Sequence, residues 1–113
     1  SIVRGTTVAR LVKLIRDAGA KEVHMRISAP PFRHPCFFGT DIPDSDQLLA
    51  HGRTVEEMRE IIGVDSLGFL SVEAANKIAI GAKCTFCDAC FTGVYPMPVP
   101  ERVEKNMFEM EIR

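Results

Sequence analysis

The residues from Thr6 to Ser28 constrain the fold most, because helical periodicity gives way to strand alternation within a few positions. The apolar side chains that recur at helical spacing are Val8, Leu11, Val12, Leu14, Ile15 and Ala18. They predict a helix packed on a sheet, with Gly19 as its C-cap. The stretch from Glu22 to Ser28 then alternates as a strand, with its apolar residues on one face.

The remaining predicted elements continue the order of helices and strands along the chain. Those predicted are a short helix over 47–50, a helix over 55–62, a short buried strand over 67–70 and a helix from 72 to about 80. Thr54 and Glu57 have the spacing of a capping box, and Ser71 is a predicted N-cap. A strand–helix–strand order implies a parallel, right-handed unit. We therefore expect an α/β chain whose first strand precedes Ser1, as part of a larger protein.

Composition and charge argue against a disordered, a nucleic-acid-binding or a membrane-spanning protein. The 113 residues correspond to about one small domain, and 46% of them are hydrophobic, which excludes disorder. Lys and Arg total 14 against 15 Asp and Glu, so the net charge of −1 argues against a nucleic-acid partner. The sequence has neither an apolar run long enough for a membrane span nor a signal-peptide pattern, which predicts a cytoplasmic protein without a membrane partner.

Four cysteines in such a chain indicate metal or redox chemistry more than a disulfide framework. Cys87 and Cys90 are spaced to hold one metal centre, and Cys36 lies in a loop stiffened by prolines. Thiolates select iron–sulfur clusters or zinc, and spacing alone does not separate the two. Thioredoxin-like redox use is disfavoured, because the pair follows a predicted helix instead of a strand.

The segment Ser1–Thr7 (SIVRGTT) leads directly into the first helix. The first amides of a helix have no intrahelical partner and lie at the positive end of its dipole, so a small-residue turn there favours a phosphate. Gly5 would let the main chain approach a ligand without a Cβ clash. An ordinary capped helix start is the alternative.

These motifs carry a family resemblance. Ser1–Thr7 resembles the end of the phosphoribosyl diphosphate (PRPP) motif of amidophosphoribosyltransferases, in which two acidic residues precede the serine. The run Cys87–Pro96 (CDACFTGVYP) is similar to the cysteine signature of the iron–sulfur-containing members, and Pro30–Pro43 to a second cysteine segment. The similarity extends from Ser1 to about Pro96. It implies part of a type I phosphoribosyltransferase fold over 1–82, followed by a cysteine-rich extension over 83–113.

The resemblance also implies the site residues. Cys36, Cys87 and Cys90 would ligate a [4Fe-4S] cluster of structural role, whose fourth ligand lies upstream, with Cys84 a secondary candidate for that place. The phosphate-loop residues implied to bind PRPP are Ser1, Arg4, Gly5, Thr6 and Thr7.

The implied reaction joins glutamine-derived ammonia to PRPP, giving 5-phosphoribosylamine, the first step of purine synthesis. Mg²⁺ would be held mostly by upstream residues, and no catalytic residue is expected in this chain, so the 113 residues alone are predicted to be inactive. The full-length enzyme is expected to be a homo-oligomer. A non-catalytic phosphoribosyl-binding module and a metal-bearing structural module are the alternatives.

Overall fold

The computed structural model describes residues 2–40 and 44–99; Ser1, positions 41–43 and the tail 100–113 lie outside this part of the chain. In order, the elements are α1 (Thr6–Asp17), β1 (His24–Ile27), a 3₁₀ helix (Ser45–Gln47), α2 (Val55–Ile62), β2 (Ser66–Phe69), α3 (Val72–Lys77) and α4 (Ala89–Thr92). Strands β1 and β2 pair in parallel, with His24 opposite Ser66 and Ile27 opposite Phe69. The predicted α/β class with a parallel sheet is confirmed.

The core lies where α2 packs against β2 and α1 packs against α2. Its buried members are Ile2, Val12, Val23, Leu49, Ala50, Met58, Ile62 and Val64. Met25 and Ile27 pack against this cluster while His24 and Arg26 are exposed, so the predicted face of the first strand is confirmed. No helix in the described ranges is long and apolar enough to cross a bilayer.

Helix α2 has the bounds that the sequence predicts, because its caps are encoded locally. The Glu57 amide donates to the Thr54 hydroxyl over 3.2 Å, and the Thr54 amide donates to the Glu57 carboxylate over 2.7 Å. This reciprocal pair satisfies two donors that the helix itself leaves free. At the other end, Gly63 adopts the left-handed conformation, with φ +82°, and stops the helix.

The predicted burial of α1 is wrong for much of its apolar face. Val12 is buried and Val8 is partly buried, but Leu11, Leu14 and Ile15 are exposed, Leu14 by 65%. Among the described residues, α1 lies against α2, which covers only one edge of the apolar face of α1. The C-cap is Ala18, with Gly19 following it at φ +104°.

Three further elements differ from their predictions. The helix predicted over 47–50 is displaced: a 3₁₀ turn ends at Gln47, and residues 48–50 are not helical, because the Leu49 amide donates to the Val3 carbonyl instead of to a preceding turn. Strand β2 is half-buried throughout instead of fully buried, and the Arg26 side chain lies over its Gly68. Helix α3 ends at Lys77, and the turn beyond it leaves Ile80 83% exposed.

Candidate functional site

The loop before α1 is anchored to the core from one side. Ile2 is buried, and the Val3 carbonyl accepts a hydrogen bond of 2.8 Å from the Leu49 amide. Gly5 is the N-cap of α1 and adopts a left-handed backbone, with φ +85°. It offers no side-chain cap, so the first amides of the helix stay available to a ligand.

The side chains that the sequence assigns to this loop face outward. Arg4, Thr6 and Thr7 are exposed, where a phosphate could reach them. Glycine is required at position 5 for two reasons: the positive φ, and a Cβ that would lie 3.0 Å from the Leu49 Cδ2 atom. A side chain at position 5 would therefore be crowded by Leu49 of the core as well as by an approaching ligand. Ser1 lies outside the described residues.

Three of the four cysteines line one cavity of about 250 Å³. Its lining residues are Pro35, Cys36, Phe38, Gly39, Thr40, Cys87, Ala89, Cys90 and Tyr95. Cys84 instead lines a separate, larger cavity of about 440 Å³ beside α3, together with Asn76 and Asp88. The structure thus groups the three cysteines that the sequence singles out and sets Cys84 apart from them.

Backbone amides favour a thiolate at Cys36. Burial opposes ionisation there, but the amides of Phe38, Thr40 and Gly39 outweigh it and hold the pKa of the thiol below its usual value. The Thr40 amide donates to the Sγ atom over 3.4 Å. Loops that present amides to sulfur stabilise the form of cysteine that binds metals.

The opposite shift at Cys90 reflects its burial and its neighbours. Burial raises the pKa of the Cys90 thiol, and the negative charges of Cys36 and Cys87 raise it further. A cation between the three sulfurs would remove this repulsion, because a coordinated thiol loses its proton. The arrangement is electrostatically suited to a positively charged metal centre.

A set of main-chain and aromatic contacts holds the two cysteine segments together. The amides of Arg33 and His34 both donate to the Cys90 carbonyl, over 2.9 and 3.0 Å. The Tyr95 hydroxyl donates to the Pro35 carbonyl over 2.8 Å, and the Phe32 and Phe91 rings meet edge-to-face at 5.1 Å. From the sequence, Tyr95 was noted only as part of the cysteine signature, and its hydrogen bond to the proline-rich loop was not predicted.

The three cysteines are compatible with a metal centre larger than a single ion. Within 2–40 and 44–99, no three His, Cys, Asp or Glu side chains are placed to hold one metal ion, although three cysteines share a cavity. Thiolates on one zinc, with Zn–S bonds of about 2.3 Å, lie only about 3.8 Å apart. A polynuclear cluster is wider, and its cysteines bind different metal atoms. A centre shared by the three cysteines is therefore expected to be a cluster if their sulfurs lie farther apart than the ligands of one zinc.

Comparison with known proteins gives close relatives. No family model matches the chain. A curated amidophosphoribosyltransferase of Synechococcus elongatus is 52% identical over 114 residues, which cover 98% of this chain and 22% of the relative. The Bacillus subtilis relative of the same name is 52% identical over 104 residues, which cover 88% of this chain and 22% of that protein. Amidophosphoribosyltransferase 2, chloroplastic, of Arabidopsis thaliana is 49% identical over 94% of this chain and 19% of its own length.

Solved structures agree in fold. A glutamine PRPP amidotransferase from B. subtilis, complexed with ADP and GMP, superposes with a TM-score of 0.78 at 50% identity, over 89% of this chain and 23% of that one. A structure of the allosteric regulatory enzyme of purine biosynthesis gives the same TM-score at 49% identity over the same coverage. The chain spans about a fifth of the length of the curated relatives it matches.

Proposed function

Because this chain belongs, by sequence and by fold, to the amidophosphoribosyltransferases, we propose that it supplies the phosphate loop and three metal-binding cysteines of an enzyme that makes 5-phosphoribosylamine from PRPP and glutamine. An identity near 50% across 98% of the chain, together with a superposable fold, supports this role. The full-length enzyme is proposed to act as a homo-oligomer. Cytoplasmic localisation stays a prediction, since chloroplastic relatives also exist.

The loop binds the part of the substrate that does not react. In the proposed reaction, ammonia attacks C1 of PRPP and pyrophosphate leaves, while Mg²⁺ would offset the charge on the leaving group. The amides of Gly5, Thr6 and Thr7 would hold the 5-phosphate at the positive end of α1. Binding a remote phosphate fixes the position of C1 relative to the nucleophile, so this contact serves the chemical step as well as affinity.

Cys36, Cys87 and Cys90 would hold the [4Fe-4S] cluster, with a fourth ligand outside this chain. The shared cavity and the amides around Cys36 support this assignment. A cluster there would join the proline-rich loop to α4 and takes no part in the transfer of ammonia. Division of the chain into 1–82 and a cysteine-rich extension over 83–113 stays a prediction.

Substitution of Gly5 by Ala in the full-length protein tests the phosphate loop. We expect PRPP affinity to fall about tenfold and pyrophosphate release to fall with it, because Ala strains the left-handed backbone and crowds Leu49. Gly19→Ala is the matched control, since Gly19 has φ +104° with no neighbour within 4 Å of an added Cβ. Calorimetric titration of PRPP with Mg²⁺ measures the affinity of each variant, and a pyrophosphate assay measures the release. Equal losses in the two variants, or none, would contradict the proposal.

A further inference from the structure

Arg33 contacts both the cysteine centre and the segment that supports the phosphate loop. Its amide donates to the Cys90 carbonyl over 2.9 Å. Its guanidinium donates to the carbonyls of Ala50, over 3.4 Å, and Arg53, over 3.2 Å. One residue thus bonds to two segments that are distant in sequence.

The segment on the far side of Arg33 is buried in the core. Leu48, Leu49 and Ala50 are all buried, at 1–5% exposure. A second guanidinium, from Arg53, donates to the Leu49 carbonyl over 3.2 Å. Buried residues in a close-packed core transmit displacement instead of absorbing it.

The same segment carries the phosphate loop. The Leu49 amide donates to the Val3 carbonyl over 2.8 Å, and the Leu49 methyl groups lie against Gly5. A continuous path therefore runs from Cys90 through Arg33 to Arg53, from the Arg53 guanidinium to Leu49, and from Leu49 to the N-cap of α1. Each step is a hydrogen bond or a packing contact among described residues.

We propose that Arg33 is a positioning residue that couples the cysteine metal centre to the phosphate loop. This rests on the function proposed above for both sites. A filled metal centre fixes Cys90, and Arg33 then holds the 48–53 segment, so that Val3 and Gly5 stay in the geometry that binds phosphate. Guanidinium suits this task, because it stays charged and presents several donors in a fixed plane.

Coupling of this kind is reciprocal. If the metal centre improves binding of a phosphate ligand by some factor, the ligand must stabilise the metal centre by the same factor. Where oxygen attacks only the opened centre, and opening is fast and reversible, the bleaching rate follows this equilibrium, so a ribose 5-phosphate bound at α1 should slow it.

The test uses the full-length protein, purified anaerobically with its metal centre, and ribose 5-phosphate as the probe. Samples are exposed to air and the visible absorption is followed with and without saturating probe. In the wild type we expect the probe to slow bleaching about fivefold. In Arg33→Met this ratio should fall close to one, and Arg33→Lys should restore part of it. Arg10→Met, an exposed arginine on α1, should keep the wild-type ratio.

The ratio separates positioning from simple support, because a purely structural loss would speed bleaching equally with and without the probe. An unchanged ratio in Arg33→Met would overturn the proposal. If that variant does not fold, Arg33→Lys replaces it: a ratio equal to that of the wild type there overturns the proposal, as does a ratio of one in the wild type. A wild type that binds no ribose 5-phosphate, or carries no metal, refutes the proposed function itself.

Discussion

At the scale of single residues, the three cysteines of the shared cavity differ from the fourth in what surrounds them. Cys36 receives amide hydrogen bonds and shares a cavity with Cys87 and Cys90, whereas Cys84 lines a different cavity beside α3, although Cys84 and Cys87 are both exposed. The environment of each sulfur therefore distinguishes proposed ligands from a bystander more sharply than sequence spacing does.

Cysteine-to-serine substitutions should reproduce this difference. In the full-length protein, Cys36→Ser, Cys87→Ser or Cys90→Ser should each remove most of the bound iron and sulfide, because a ligand to the centre is lost. Cys84→Ser is the control and should keep the wild-type content. Iron and acid-labile sulfide assays on anaerobic preparations measure the outcome. Loss of iron in Cys84→Ser alone would reverse the assignment, and stoichiometric zinc in the wild type would rule out the cluster.

Asp65 makes a pH-dependent link between the start of β1 and α1. Its carboxylate accepts from the Val23 amide and from the Arg16 guanidinium, each over 2.7 Å, and these bonds lower its pKa. A lowered pKa stabilises the fold above the unfolded value of about 3.9, and this stabilisation is lost as the pH falls through the folded value.

Asp65→Asn should therefore lower the melting temperature at pH 7 and lose its effect in acid. The deficit should be full above about pH 5 and shrink below pH 4, where the wild-type carboxyl takes up its proton. Asp17→Asn, which breaks only the exposed pair with Lys13, should have little effect at either pH. Melting curves from pH 3 to 7 measure both variants, and a deficit that does not depend on pH would contradict this account.

At the scale of elements, the sequence predicted correctly those helix ends that are set by residues within one turn of them. The capping box at Thr54 and the stop at Gly63 fix α2 to the residue, because both are satisfied within one turn. The segment 47–50 was predicted as a helix from its apolar content, but its amide at Leu49 pairs with Val3, which no local pattern reveals. The exposed stripe of α1 is a similar case: periodicity identifies an apolar face without saying which neighbour covers it.

Loss of the Thr54 cap should weaken α2 and the core beneath it. Thr54→Ala removes the acceptor for the Glu57 amide and should reduce the free energy of unfolding by about 1 kcal/mol. Thr85→Ala, in an exposed irregular segment, serves as the comparison and should cost much less. Urea titration followed by circular dichroism gives both values. Equal destabilisation by the two changes would mean that the cap contributes nothing measurable.

At the scale of the whole molecule, sequence motifs predicted the contents of the site but not its connections. Cys36, Cys87 and Cys90 were identified together, and they share a cavity. The contacts made by Arg33, Tyr95 and Leu49 depend on residues 17 to 60 positions apart, so they required the fold. Gly5 was recognised as necessary, while half of the reason, its contact with Leu49, lies in the core.

Removal of the metal centre should loosen one region and spare another. Without it, the amides of Arg33 and His34 that bond to Cys90 should exchange with deuterium at least tenfold faster, because their acceptor lies on α4, a helix of only four residues that the centre would hold in place. The paired amides of β1 and β2 should change little, since the two strands pair with each other and α2 packs on β2 without using the cysteine segments. Hydrogen exchange with mass spectrometry, before and after anaerobic chelation, compares the two regions. Uniform acceleration across both would contradict this division.

A metal centre bound by both Cys36 and Cys87 would also lower the conformational entropy of the unfolded chain. These cysteines are 51 positions apart, so a metal centre that binds both is a cross-link that closes a large loop. By the relation used for disulfides, closing a loop of that size removes unfolded-state entropy worth about 4 kcal/mol. While it stays bound in the denatured chain, such a centre stabilises the protein by limiting the conformations of that state; once released on unfolding, it contributes its binding free energy to the folded state instead.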